Sequence, residues 1–318
     1  DGAKEKDKDY KLALHHAIEN KASLEVVERL LTAFPDGAKE KDKDSKLALH
    51  YAIENKASLE VVERLLSAYP DGVKEKTTEH RPSKGMLPLH FAAKNQASLE
   101  VVERLLTAYP EGAKEKDKDS KLALHHAIEE KASLELVERL LALYPEGTKE
   151  KSTHYSTNGM LPLHIATKNQ ASLEVVERLL TAYPEGAKEK DSDSKFPLHH
   201  ATENKASSEV VKILIAAHPT AKVFMEIEIA IGTKDWDQVS DLVASCPDAA
   251  KEKDKNSKLP LHHAIEKQAS LEVVERLLEA YPEGAKEKDN HSKLPLHHAI
   301  EKKAVLEVVE RLLTAYPE

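Results

Sequence analysis

A near-identical stretch of about 35 residues recurs along this chain, and this period constrains the fold more than any other feature. Its clearest copy is LPLHHAIEKQASLEVVERLLEAYPEGAKEKD, residues 259–289. Nine copies follow one another, each taken to begin at the first residue of its L-x-L-H motif or the equivalent position: Leu12, Leu47, Leu87, Leu122, Leu161, Phe196, Met225, Leu259 and Leu294. The spacings are 35, 40, 35, 39, 35, 29, 34 and 35 residues. Such periods are typical of solenoids, in which each unit buries its apolar face against its neighbours.

Each copy predicts two short helices followed by a return loop. Pro260 suits the start of the first helix, where a missing N–H has no partner to lose. The second segment carries one apolar stripe at helical period: Leu271, Val274, Leu277, Leu278 and Tyr281. Ser270 suits the N-cap of this helix, and Glu272 and Arg276 are spaced as an i,i+4 pair on its outer face.

Two copies carry inserts in the return loop, TTEHRPSKGM at 77–86 and STHYSTNGM at 152–160. Both inserts precede LPLH, and both repeats continue with KNQASLEVVERLLTAYPEGAKEKD. A block of two repeats was therefore duplicated together with its insert. We expect both loop tips to project from the same edge of the stack.

The seventh copy departs most from the others. Its return loop, PTAKVF, is six residues shorter than in most copies, Glu228 replaces the usual His, and the chain's only Trp and only Cys lie here. The sequence predicts regular repeats over 1–219, a degenerate repeat with a kink over 220–258, and two regular repeats over 259–318. Since the chain begins and stops at the same position within the repeat, we expect both ends to be cut from a longer array.

Composition excludes several classes of function. Charged residues are 32% of the chain and aromatic residues 4%, which suits a thin core renewed in each repeat. A net charge of −9 with interleaved signs argues against nucleic acid and anionic membranes as partners. No apolar run reaches the 18 residues of a membrane span. Cys246 is the only cysteine, so there is no disulfide framework, and a reducing, cytoplasmic location is favoured.

These motifs resemble the ankyrin repeat family. L-P-L-H-H-A is similar to the family's T-P-L-H-x-A, and S-L-E-V-V-E-R-L-L is similar to its G-H-L-E-V-V-K-L-L-L. The family's Thr is replaced here by Leu, Met or Phe, and its turn Gly is usually Ser. A tetratricopeptide array has a similar period, but its aromatic-and-small pattern is missing. The resemblance implies an all-α solenoid of about nine helix-loop-helix repeats, with irregular or hairpin-like return loops, a concave binding surface and no catalysis.

Seventeen histidines invite a metal hypothesis, but they fall into two columns that recur with the repeat. The first His column contains His15, His50, His90, His125, His164, His199, His262 and His297. The second column contains His16, Tyr51, Phe91, His126, Ile165, His200, Ile229, His263 and His298. In the family the first His lies within the stack and bonds to backbone, and the second column alternates with apolar residues, as expected for packing. Adjacent helical residues do not face the same way, so we expect no metal site and no cofactor.

The KEKDKD runs alternate in sign and predict solvated loops. A catalytic triad is a unique constellation, whereas Ser, His and acidic residues recur here in columns, so we expect no enzyme activity. The best candidates for partner contact are residues that break the repeat, because loops that depart from a scaffold often carry function. They are His80, Arg81 and Lys84 in the first insert, His154, Tyr155 and Asn158 in the second, and Trp236 in the seventh repeat.

The sequence therefore predicts a non-enzymatic module that binds another protein through the concave face and the return-loop tips. Two alternatives stay open at this point. One is a structural scaffold or spacer in a large assembly, which near-identical repeats would suit. The other is the regulatory repeat region of a larger enzyme or channel. The partner itself cannot be named from the fold.

Overall fold

The computed structural model describes residues 2–78 and 85–316, and within these ranges the chain is all-α. No strand occurs in the described ranges, so the predicted fold class is confirmed. Two compact units, residues 1–186 and 187–318, divide the chain. The first unit contains α1 (Ala13–Glu19), α2 (Leu24–Ala33), α3 (Ala48–Glu54), α4 (Leu59–Ala68), α5 (Pro88–Lys94), α6 (Leu99–Ala108), α7 (Ala123–Glu129), α8 (Leu134–Leu143), α9 (Pro162–Lys168) and α10 (Leu173–Ala182). The second contains α11 (Pro197–Glu203), α12 (Ser208–Ala217), α13 (Pro219–Thr233), α14 (Trp236–Ser245), α15 (Pro260–Glu266), α16 (Leu271–Ala280), α17 (Pro295–Glu301) and α18 (Leu306–Ala315).

The second helix of a regular repeat buries the centre of the predicted stripe, except in α18, where Leu306 and Leu313 are exposed. In α16, Val274, Leu277 and Leu278 are buried, as the helical period predicts. The predicted pair of Glu272 and Arg276 is wrong, because Arg276 lies 3.6 Å from Glu279 instead. The start of the helix instead stabilises the charge of the equivalent glutamates: the N-cap serine and a backbone N–H lower the pKa of Glu60, Glu100 and Glu174.

Arginines equivalent to Arg276 reach the preceding repeat. The clearest case is the Nε of Arg139, which lies 2.7 Å from a carboxylate oxygen of Glu103. In the same way Arg104 lies 3.9 Å from Glu63. These contacts join neighbouring repeats on the outer face. Each is solvent-exposed and contributes at most about 1 kcal/mol.

Each regular return loop begins with a short 3-10 helix that the sequence did not predict. These helices are Pro35–Ala38, Pro70–Lys74, Pro110–Lys114, Pro145–Lys149, Pro184–Lys188, Pro247–Lys251 and Pro282–Lys286. Proline occupies the first position of each. Six of the seven have a glycine at the third position, which allows close packing, and the seventh has Ala249 there: a Cβ atom on Gly147 would lie 3.1 Å from Leu122 and 3.2 Å from Tyr144.

The loop tips are closed by backbone hydrogen bonds in a hairpin-like turn. Asp42 N–H donates to Lys46 C=O at 3.0 Å, and Ser45 N–H donates to Asp42 C=O at 3.1 Å. The serine at this position has φ between 56° and 59° in five repeats: Ser45, Ser120, Ser194, Ser257 and Ser292. Because L residues avoid this left-handed region, each serine holds strain that the family's glycine would not.

The predicted short loop of the seventh repeat is wrong, because residues 219–224 are helical. α13 runs for 15 residues from Pro219 to Thr233 and replaces the 3-10 helix, the return loop and the first helix of a regular repeat. The physical reason is local. No Asp–Ser turn follows Pro219 to stop the helix. The predicted kink over 220–258 stays a prediction.

Candidate functional site

The first His column ties each repeat together internally. The histidine at the third position of the first helix accepts a hydrogen bond on Nδ1 from the backbone N–H of the N-cap residue, at 2.9–3.2 Å. This is the reciprocal half of a capping box, with His in the role of Glu or Gln. At the other end of the ring, His125 Nε2 donates to Glu150 C=O at 3.0 Å, just after the 3-10 helix of the return loop. The predicted backbone-bonding role of this column is confirmed.

This bonding pattern requires neutral imidazoles. Burial lowers the pKa of His50 and of His90 to about 3, and those of His125, His199 and His262 to about 4. A ring that accepts on Nδ1 and donates from Nε2 has no room for a second proton. The first column therefore belongs to the architecture of the repeats.

The second column pairs with the first aspartate of the return loop. His126 Nε2 lies 2.9 Å from Asp117 Oδ2, and Tyr51 donates its hydroxyl to Asp42 Oδ2 at 2.6 Å. The other carboxylate oxygen of Asp117 accepts from the backbone N–H groups of Asp119 and Lys121. The same His–Asp pair recurs in four more repeats: His16–Asp7, His200–Asp191, His263–Asp254 and His298–Asp289. These pairs hold the return loop onto the first helix.

The KEKDKD runs are also more than solvated loops, which corrects the sequence-based interpretation. Lys41 Nζ lies 2.7 Å from Glu75 Oε2 in the next repeat, and Tyr69 donates to the other oxygen of Glu75 at 2.9 Å. Equivalent lysine–glutamate contacts join Lys116 to Glu150 and Lys253 to Glu287. Positive and negative side chains alternate in these runs, so a lysine of one return loop can pair with a glutamate of the next. Most of these side chains are a quarter or more exposed, so each pair contributes at most about 1 kcal/mol.

The two repeats with inserts exchange a whole set of these residues at once. At four positions of the loop and first helix, regular repeats have Asp, Lys, then His or Tyr, and Glu. At the same four positions the fifth repeat has Ser152, Met160, Ile165 and Lys168. The third repeat has the matching set Thr77, Met86, Phe91 and Lys94. For each hydrogen bond that these two repeats lack, both the donor and the acceptor residue have been replaced. Sequence reasoning missed this joint exchange, although it is visible by comparing repeats within the chain.

The insert at 152–160 folds into a compact, internally bonded loop. Ser152 Oγ lies 2.9 Å from Thr157 Oγ1 and accepts from the backbone N–H of His154 at 3.1 Å. Ser152 C=O accepts from Gly159 N–H at 2.8 Å, and Gly159 has φ +72°. Ser152 and Thr157 are buried beneath the tip. The loop is thus anchored through its base.

The tip of this loop presents an aromatic side chain to solvent. Tyr155 is 76% exposed, and the His154 ring lies against it with ring centroids 4.3 Å apart. His154 Nδ1 lies 2.7 Å from Ser156 Oγ. From the neighbouring first helix, Lys168 Nζ donates to Ser156 C=O. Lys168, which replaces the usual Glu, therefore holds the insert in place.

The remaining predicted residues lie in different places. His80, Arg81 and Lys84 lie outside the described residues. Asn158 is exposed beside Gly159 in the loop of the second insert. Trp236 is the half-buried first residue of α14, in the other compact unit, so the structure does not group it with this loop.

Other kinds of site find no support in the described part of the chain. Residues 2–78 and 85–316 hold no group of three or more His, Cys, Asp or Glu side chains arranged to bind a metal ion. In the same ranges, no helix is both long enough and apolar enough to cross a membrane.

Comparison with known families places the chain in one class. Family models described as "Ankyrin repeats (3 copies)" match residues 1–77, 124–224 and 227–318, and a model described as "Ankyrin repeats (many copies)" matches residues 77–127. The chain belongs to the ankyrin repeat family, whose members are generally non-enzymatic and bind other proteins. No curated protein matches the chain.

Proposed function

We propose that this chain is a non-enzymatic protein-binding module and that the insert at 152–160 contacts the partner. The observation that carries the proposal is Tyr155, a large aromatic side chain 76% exposed on a loop that is otherwise internally bonded. Tyrosine is enriched among the few residues that dominate binding energy at interfaces. A loop already held in one conformation loses little entropy when it binds.

The chemistry of the tip defines the partner surface. Tyr155 offers an apolar ring and a hydroxyl group, and the adjoining His154 ring widens the aromatic face. Such a side chain fits an apolar pocket with a hydrogen-bonding group at its far end. The partner in this proposal is a folded protein or an extended peptide that supplies that pocket.

The first insert supports a contact that extends over two loops. It occupies the same return-loop position two repeats earlier, and its base is closed by the same bond, since Thr77 N–H donates to Met86 C=O as Ser152 N–H donates to Met160 C=O. His80, Arg81 and Lys84 belong to the proposed contact as predicted from the sequence. Two tips that engage one partner together would gain affinity from simultaneous binding.

The test is to replace the second insert while preserving the repeat. Residues 152–160 are exchanged for DKDSK, the loop of residues 117–121, together with Ile165→His and Lys168→Glu. The two substitutions supply the partners that the new aspartate and lysine need, as His126 and Glu129 do in the fourth repeat. Without them the plain loop would leave a buried carboxylate unpaired.

We expect the exchanged chain and Tyr155→Ala each to bind the native partner at least tenfold more weakly, about 1.4 kcal/mol. The matched control is Tyr10→Ala, which removes a tyrosine that is 60% exposed in the return loop before α1, where the chain has no insert. Isothermal titration calorimetry with the partner purified from the native source gives the affinities. Equal affinities for the parent and the exchanged chain would leave recognition to the concave helices.

A further inference from the structure

The missing return loop of the seventh repeat leaves a notch in the second compact unit. We define the repeat-seven notch by Glu228, Ile229, Asp254 and His263. Ile229 belongs to the second column, yet it is 65% exposed, whereas Ile165 in the same column is fully buried. In other repeats this side chain lies against its own return loop, and α13 has no such loop. The exposure of Ile229 follows from that loss.

The His–Asp pair next to the notch is uncovered as well. The side chains of His263 and Asp254 are 28% and 15% exposed, compared with 4% and 1% for the equivalent pair His298 and Asp289. His263 Nε2 lies 3.1 Å from Asp254 Oδ2, so the pair itself is intact. The eighth repeat thus has its usual contacts, and solvent reaches them through the notch.

Glu228 brings a carboxylate to the side of the notch that faces His263 and Asp254 of the eighth repeat. It stands in the first column, and first-column side chains pack on the second column of the next repeat, as His262 does on His298 at 5.7 Å between ring centroids. In the described part of the chain, the Glu228 carboxylate makes no hydrogen bond or ion pair within 4.0 Å. Burial raises the pKa of this carboxyl, and the nearby charge of Asp254 raises it further, although His263 and Lys190 oppose the shift.

The nearest lysine is already engaged. Lys190 Nζ lies 2.5 Å from Glu252 Oε2 and 2.9 Å from Lys253 C=O, so it bridges the return loops on either side of the missing one. Lys222 is paired with Glu226 at 3.4 Å on the same helix. The notch therefore combines an exposed apolar side chain with a carboxylate that has no cationic partner of its own.

We propose that the repeat-seven notch binds an arginine side chain of a protein partner. The methylene stem of arginine would cover Ile229, while the guanidinium would bond to the Glu228 carboxylate and approach Asp254. Arginine suits this place better than lysine because its planar fork can donate to two acceptors and is more weakly hydrated. The site is independent of the insert at 152–160, so either proposal can fail without the other.

The test uses the full chain with labelled isoleucine δ-methyl groups and two peptides that differ in charge. Acetyl-Gly-Arg-Gly-amide is titrated into the protein and compared with its citrulline twin, which has the same shape and no charge. We expect the arginine peptide to shift the Ile229 methyl signal saturably, with an affinity at least tenfold above that of the citrulline peptide. The Ile165 methyl signal serves as the internal control and should not move.

Two variants complete the test. Glu228→Gln should weaken binding of the arginine peptide at least tenfold, and Glu228→His, which restores the residue that other repeats carry, should do the same. Unchanged Ile165 and Ile265 methyl signals show that the variants are folded. Equal affinity for the two peptides, full binding by both variants, or shifts confined to other isoleucines would overturn the proposal.

Discussion

The neutral histidines of the first column predict that acid weakens the stack by a definite amount. An unfolded histidine has a pKa of about 6.5. Burial lowers the pKa of His125 to about 4. Below pH 6.5 the unfolded chain therefore takes up a proton that the folded chain does not, so stability falls as the pH falls, until the folded pKa is reached. Between pH 7.5 and pH 5 this one site costs about 2 kcal/mol.

Several sites act in the same direction. The column has five members whose lowered pKa values lie near 3 or 4: His50, His90, His125, His199 and His262. Their summed loss between pH 7.5 and pH 5 is about 10 kcal/mol, comparable to the whole stability of a typical domain. We therefore expect the urea midpoint, followed by circular dichroism, to fall steeply over this range.

One substitution isolates a single site. In His125→Gln, the amide oxygen can accept from Leu122 N–H and the amide nitrogen can donate to Glu150 C=O, as the imidazole does at 3.1 and 3.0 Å. The variant should therefore lose about 2 kcal/mol less than the parent between pH 7.5 and pH 5. Val137→Ala, which removes buried apolar atoms and no titratable group, is the control and should keep the parent's pH dependence. If His125→Gln also keeps it, the column does not titrate as the burial of its rings requires.

Three other predictions address the loops and the seventh repeat. Ser120→Gly should raise the free energy of unfolding by about 1 kcal/mol, because φ is 56° there, whereas Ser133→Gly at the N-cap of α8 should bring no gain in the same urea titration. Asp117→Thr and His126→Phe remove the two partners of one hydrogen bond. The double variant should therefore be destabilised by about 1 kcal/mol less than the sum of the two single variants, as measured in a double-mutant cycle. Amide hydrogen exchange should be faster over 219–235 than in the third to fifth repeats; equal rates would refute this.

The repeat period and the apolar stripe were enough to predict the architecture. Leucine and valine positions at helical spacing determine which side of each helix is buried, and one repeat cannot bury that side alone. The role of the first His column also follows from the family pattern. These features depend on local sequence that recurs in at least eight of the nine copies, so chance agreement is excluded.

Other features depend on relations that one repeat does not display. The second column suggests tolerant packing when read by itself; only a comparison with the loop aspartates shows that His126 and Asp117 are exchanged together for Ile165 and Ser152. Residues 219–224, the first part of α13, were predicted as a loop because their length was compared with other loops, although their lack of turn residues favours a helix. The fixed tip of the second insert depends on Lys168, which lies in the next helix and donates to Ser156 C=O.

The most direct test of the central claim is site-specific photo-crosslinking. The photoreactive residue p-benzoylphenylalanine replaces Tyr155 in the second insert and, as a control, Glu60 on the start of α4, which is also exposed. Each chain is irradiated with the native partner, and the adduct is measured by mass spectrometry. A contact through the insert predicts a strong covalent adduct from position 155 and little from position 60. No adduct from position 155, while the partner remains bound to the chain, would contradict it.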